Sequence, residues 1–436
     1  MQVTDNKTRR RLQKSSLSIR AVARSVTLVA GVLALSSAAI AFQIAPMGSA
    51  FEFKLTNETE NSLATVAGKL GVLIKGRVHE EITQIGMGCP MEPGALVQDV
   101  SCSSQDLPFA TSYVIYGVRW NDLPPFKLSP DEGNCTYLGK SCNVSQTIRF
   151  STQPLCWYCL FKDAEKKAQT QQIVGCNKTK GSLHGNVMTR SHFGDLQFLH
   201  AMASEEGVHP GATRAKVLDW LEFAWKVSSR EIKPDTFLRD IDNATLKEHF
   251  GCTQWRVSDL YILGRQDKLL PYLHHVAFGS VLHTVQDSFA GAHASRETSP
   301  PVGMCQDTRL ARPRRIAEFH TYGAQDGSLH DEQDSREAMT RVSAADRWPD
   351  AVEATRNLSR FYEDRARWSE VQPYMQCLFE LADERNDWGC GQKLGLPGGS
   401  SCIPTKIESE RSSSTSNWAS APVPLSASWD IRRRTR

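Results

Sequence analysis

Between Leu282 and His293 the chain places His283 and Asp287 four residues apart, with His293 six further on. In a helix, positions i and i+4 share one face, so this spacing offers an imidazole and a carboxylate to a single cation. A carboxylate has two oxygens and can bridge two cations, as a multinuclear site requires. Gly291 is the expected helix terminator, which would turn His293 towards a neighbouring site. Alone, His283 and Asp287 read equally well as an ordinary ion pair on a helix.

A second pair changes that balance. His330-Asp331-Glu332-Gln333-Asp334 repeats the His-x3-Asp spacing, although so polar a stretch also suits a solvated helix face. His320 competes for the role, but position 324 is Ala, so His330 and Asp334 are preferred. His and Asp together make the hard-to-borderline donor set expected of catalytic zinc. His79-Glu80-Glu81 is not a zincin motif, because position 83 is Thr. Cys156-Trp157-Tyr158-Cys159 has redox or zinc-ribbon spacing, but no second such pair follows, so each cysteine is expected in a structural disulfide.

His-x3-Asp-x5-His followed by a second His-x3-Asp resembles the signature of the zinc-dependent phospholipase C and single-strand nuclease superfamily. The likeness spans roughly residues 76–340 and leans towards the bacterial phospholipases. It departs at Gly291, where the family usually has Pro. The resemblance implies an all-helical domain with two or three zinc ions at the base of a cleft, and it implies further ligands upstream. Asp122, in Val118-Arg119-Trp120-Asn121-Asp122, matches a zinc-binding Asp, and the resemblance makes it the candidate general base as well. His192, in Ser191-His192-Phe193-Gly194-Asp195, matches a phospholipase segment. His79 matches an early His that shares a zinc with an N-terminal Trp; here both candidate cleavage sites would expose Phe, at position 42 or 51.

The ligand division so implied puts Asp122, His192, His283 and Asp287 on one zinc. His293, His330 and Asp334 hold a second, and His79 and Asp287, with an N-terminal or loop donor, a third. His184, His200, His274 and His275 are assigned to core, surface or supporting roles. Paired zinc ions suit phosphodiester hydrolysis because they lower the pKa of a shared water to about 7 and bind the phosphate oxygens. The implied substrate is a phosphatidylcholine-like lipid, cleaved to diacylglycerol and a phosphorylated head group in transient contact with a membrane surface. One alternative is a single-strand nuclease, with nucleic acid as partner and aromatic side chains stacking on bases. Another is a non-catalytic binding protein whose metal site is closed and structural.

These ligands need helices to hold them. Apolar spacing predicts helices over 60–86, 212–227, 269–290, 351–366 and 371–382, the third being the most apolar and central. Alternating apolar runs are scarce, so the expected fold is all-α over residues 42–395. Residues 87–180 hold seven of the twelve cysteines and read as a disulfide-rich loop insertion with short elements. The Ser- and Pro-rich residues 396–436 read as a flexible tail.

Residues 1–41 carry seven basic residues and one acid ahead of the apolar run 26–40, which reads as an export signal. Thr8-Arg9-Arg10-Arg11 resembles a twin-arginine signal. All twelve cysteines follow it, as expected of a secreted or periplasmic protein. Without residues 1–41 the chain holds 44 basic and 47 acidic residues, against a net +3 for the whole. A chain of that balance has no general attraction for nucleic acid. The ranking of the two competing histidines is testable: His330→Ala should remove nearly all hydrolysis while His320→Ala keeps most of it. The reverse order in folded protein would reject the choice of His330.

Overall fold

The computed structural model of the chain describes residues 78–89, 112–128, 142, 147–150, 153–176, 179–205, 207–297, 303–306, 308–322 and 351–382. All lie in one compact unit, residues 1–403. The residues expected to form an export signal, His330, Asp334 and residues 396–436 fall outside the described residues.

The chain is mostly helical. In order come α1 (Val78–Gly86), α2 (Ser112–Val118), α3 (Pro154–Ala168), α4 (Val187–Phe193), α5 (Pro210–Ser228), α6 (Ala244–Phe250), α7 (Val257–Ile262), α8 (Gln266–Leu269), α9 (Leu273–Asp287), α10 (Ala351–Glu363) and α11 (Trp368–Leu378). Sheet among the described residues is confined to two-stranded pairings. β1 (Phe126–Lys127) and β2 (Thr147–Ile148) are antiparallel, β3 (Ile173–Val174) and β4 (Leu183–His184) parallel, and β5 (Ala294–Arg296) and β6 (Ile316–Phe319) antiparallel.

α9 is the axis of the core: Leu273 and every residue from Val276 to Asp287 are buried. Val276, Ala277, Phe278, Val281, Leu282 and Val285 join one apolar cluster with Val217, Leu221, Ala224 and Trp225 of α5. The other buried positions of its last two turns are Ser280, His283, Thr284, Gln286 and Asp287, all polar. A polar group in a core needs hydrogen-bonding partners, and α2 brings some of them. The two helices meet backbone to backbone. A Cβ on Gly279 would lie 2.3 Å from the Val114 carbonyl oxygen, and one on Gly117 would lie 2.2 Å from that of Val276. This contact delivers Asn121, in the turn after α2, to α9. Its amide donates to the Leu199 carbonyl at 2.7 Å and to Thr284 Oγ1 at 3.1 Å, and it accepts from Ser280 Oγ at 2.6 Å.

The expected helix over 60–86 is described only from residue 78, as α1, and the others are observed with shifted ends. Residues 212–227 lie within α5, while 351–366 and 371–382 correspond to α10 and α11. The expected helix over 269–290 is broken: Pro271 sits in a 3-10 turn, Leu270–Tyr272, and α9 begins only after it. α9 also stops at Asp287, before Gly291, and successive tight turns carry the chain on to His293. The reading of 87–180 as loops with short elements fails at α3. Pro at its first turn starts this helix of 15 residues, and Trp157, Leu160, Phe161 and Ala164 bury one side of it.

Disulfides join Cys142 to Cys156, Cys176 to Cys252, and Cys305 to Cys377. Cys159 is disulfide-bonded as well, and no described cysteine is free. Three such bonds suit an oxidising, extracellular or periplasmic environment. No described helix is long and apolar enough to cross a membrane. Because the α2–α9 contact leaves no room for a methyl group, Gly279→Ala should lower the unfolding free energy by about 3 kcal/mol. An unchanged denaturant midpoint would contradict that packing.

Candidate metal centre

Five histidines and two aspartates converge at the C-terminal end of α9. His79 comes from α1, His192 from α4, His283 and Asp287 from α9 itself. Asp122 lies in the turn after α2, His200 ends a 3-10 turn (Gln197–His200), and His293 follows α9. All seven side chains are fully buried. Their donor atoms form three groups within 4.8 Å that could each hold a metal ion: His79, Asp122 and His283; Asp122, His192 and His200; His200, Asp287 and His293.

Hydrogen bonds fix which nitrogen of each ring carries the proton. His283 Nδ1 lies 2.6 Å from the Val118 carbonyl oxygen, His192 Nδ1 2.9 Å from that of Met188, and His293 Nδ1 2.8 Å from that of His200. A carbonyl only accepts, so each Nδ1 donates and each Nε2 keeps its lone pair. His283 Nε2 lies 3.0 Å from Asp287 Oδ2 and 3.7 Å from Asp122 Oδ1, and His192 Nε2 lies 3.9 Å from Asp122 Oδ1. His79 Nε2 lies 3.2 Å from Asp287 Oδ1. His192 Nε2, His200 Nε2 and Asp287 Oδ1 are buried and accept no hydrogen bond. Imidazole lone pairs facing carboxylate oxygens in a dry interior repel one another unless a cation or proton lies between them. With Nδ1 held from behind by a carbonyl, His192, His283 and His293 each have the support typical of a metal-ligating histidine. The residues therefore fit a metal ion.

Electrostatics agree with lone pairs held open. Burial pushes the His192 imidazole well below its ordinary pKa, and the neighbouring His200 adds to the effect. Burial also lowers His200, against the pull of Asp287, and brings His283 down to about 3. Burial opposes ionisation of Asp287, but His283 and His293 outweigh it and hold the carboxyl well below the usual range.

Asp122, His192, His283, Asp287, His293 and His79 are thus brought together, and His330 and Asp334 lie outside the described residues. The grouping differs from the expected one, since His79 joins Asp122 and His283, and His200 is shared by two groups. His200, assigned to core, surface or supporting roles, is fully buried and belongs to two of the groups. Its Nδ1 lies 3.0 Å from Asp287 Oδ2 and 3.1 Å from His283 Nε2. Only its distance in sequence from His192, with no carboxylate at helical spacing, hid it. His320 is buried with Nε2 2.9 Å from Ser295 Oγ, and it belongs to none of the three groups. Asp195 of the Ser-His-Phe-Gly-Asp segment turns elsewhere, pairing with Arg190 Nε and Nη2, each at 2.8 Å, and with His249 Nδ1 at 2.7 Å. A cavity of about 520 Å³ lined by Asp195, His249 and Lys216 contains none of the seven cluster residues, so the metal-binding chemistry lies apart from it.

Histidines whose folded pKa is lowered stabilise the fold fully above their ordinary value of 6.5, and that stability is lost as pH falls towards the folded value, about 3 for His283. In chelator, the melting temperature should therefore fall steadily from about pH 7 to about pH 4, and His283→Asn should flatten the slope. A pH-independent melt would contradict the neutral, buried cluster. Comparison of the chain with protein-family models, with curated proteins and with solved structures finds no match in any of the three.

Proposed function

We propose that the protein is a zinc-dependent phosphodiesterase, an exported phospholipase C acting on phosphatidylcholine-like lipids. One observation carries the reading: five buried imidazoles and two carboxylates direct their donor atoms at one another in three overlapping groups. Overlap through Asp122 and His200 suits neighbouring ions better than a single closed structural site. When bound, such ions would supply an activated water and electrophilic contacts for phosphate oxygens. His79, Asp122, His192, His200, His283, Asp287 and His293 would hold them, with His330 and Asp334 as further candidates.

The chain's own groups then have distinct tasks. Asp122, shared by two groups, is the candidate general base, able to take a proton from an attacking water. The carbonyls of Val118, Met188 and His200 orient the rings and hold the proton on Nδ1, while burial keeps His192 and His283 neutral. Lipid is favoured over nucleic acid by the Ser191-His192-Phe193 resemblance and by the slight acidity of residues 42–436. A nuclease gains affinity from free basic groups that displace counterions. In the arginine-rich stretch 309–315, Arg315 pairs with Glu297 at 2.8 Å, and Arg312 lies 3.4 Å from Glu380. These pairings reduce the charge left for a phosphate backbone.

Full-length protein purified without chelator should carry two or three zinc ions. It should release phosphorylated head group from phosphatidylcholine vesicles faster than it cuts single-stranded DNA. Chelation should stop the reaction and added zinc restore it. Fewer than one ion per chain would reject the metal centre, and faster DNA cutting would replace the lipase reading with the nuclease one.

A further inference from the structure

Gln286 is fully buried on α9, next to Asp287, and makes three side-chain hydrogen bonds. Its Oε1 lies 2.6 Å from His79 Nδ1. Its Nε2 donates to Thr83 Oγ1 at 2.9 Å and to Thr355 Oγ1 at 3.1 Å. An amide has one accepting and one donating end, and here both ends are engaged. In this orientation the amide nitrogen donates to the two hydroxyls and the oxygen faces His79, which makes His79 Nδ1 the protonated nitrogen and leaves the lone pair on Nε2. His192, His283 and His293 use backbone carbonyls for this purpose. His79 instead depends on a side chain, and that side chain depends on two more helices: Thr83 lies on α1, one turn beyond His79, and Thr355 lies on α10. α1 and α10 touch tightly here, since a Cβ on Gly86 would meet Thr355 Cγ2 at 2.5 Å.

Resting on the metal-centre reading above, we infer that Gln286 is a positioning residue for that centre. It holds His79 in the Nδ1–H form, presents Nε2 to the ion held with Asp122 and His283, and makes that presentation depend on the docking of α10. Gln286 touches neither ion nor substrate. Its effect is confined to the one group that contains His79, whereas a general core-packing role would affect stability without regard to which group fills.

The test compares wild type, Gln286→Glu and Gln286→Leu as full-length proteins. Bound zinc is counted at fixed free zinc, and the histidine tautomers are read by ¹⁵N NMR in chelator. Glu keeps an acceptor for His79 Nδ1–H, and the two threonine hydroxyls can turn to donate to it. Leu removes the acceptor. The expected result is that Gln286→Glu keeps the wild-type ion count and the Nδ1–H form of His79. Gln286→Leu should weaken one ion by about 10- to 100-fold and mix the His79 tautomers, leaving the remaining sites filled. Folding is checked by the thermal melt in chelator. Should Leu destabilise the chain, the Glu variant still decides, because loss of the ion or of the tautomer in folded Gln286→Glu overturns the inference. Wild-type affinity for every ion in folded Gln286→Leu also overturns it. If wild type itself binds no zinc, the metal centre falls and this inference with it, which separates the two failures.

Discussion

A carboxylate and an imidazole lone pair cannot face each other in a dry core without something between them, and much of this structure is arranged around that constraint. Asp287 lies at the last helical position of α9, fully buried, with His79, His200 and His283 nitrogens within 3.2 Å of its oxygens. The acceptors behind the rings come largely from chain ends. Val118 is the last residue of α2 and His200 the last of its 3-10 turn. Terminal carbonyls have no partner within their own helix, so a single hydrogen bond satisfies the backbone and fixes a ring at once. This explains why the cluster forms where several short helices stop.

The remaining architecture keeps those ends in register. Gly117 and Gly279 allow α2 to reach α9 at backbone distance, and Asn121 then links the turn after α2 to both Leu199 and α9. Arg296 does the same for the turn after α9. Its guanidinium donates to the Ser288 carbonyl at 2.9 Å, to the Arg314 carbonyl at 2.6 Å and to the Leu378 carbonyl at 3.0 Å, joining the turn after α9 to β6 and α11. At the end of α4, Gly194 passes so near the Ile173 carbonyl that a Cβ would lie 2.2 Å from it. Asp195 is thereby left to pair with Arg190, which anchors the helix that bears His192.

The legible part of the site was the part written in helical spacing. His283 and Asp287 could be read because both sit on one helix, and α5, α10 and α11 because their apolar residues recur at helical intervals. His200 was hidden because a 3-10 turn presents a ring without periodicity, and its partners lie 83 and 87 residues away. α3 was obscured by the cysteines on it, which suggested loops although Trp157, Leu160, Phe161 and Ala164 already traced a helical stripe. The early end of α9 had no local signal. Gly291 suggested a stop, yet the chain leaves the helix at Ser288, where Arg296 takes up both its carbonyl and its hydroxyl.

The Cys305–Cys377 bond spans 72 positions of sequence, and positions 330 and 334 fall inside the covalent ring it closes. The ring is also moored next to the cluster, where the Tyr322 amide donates to Gln197 Oε1 at 2.6 Å and β6 pairs with the strand that follows His293. A side chain borne on such a ring is an intramolecular reagent. Its local concentration is on the order of millimolar whatever the protein concentration, and the entropy of closing the ring grows only with the logarithm of its length.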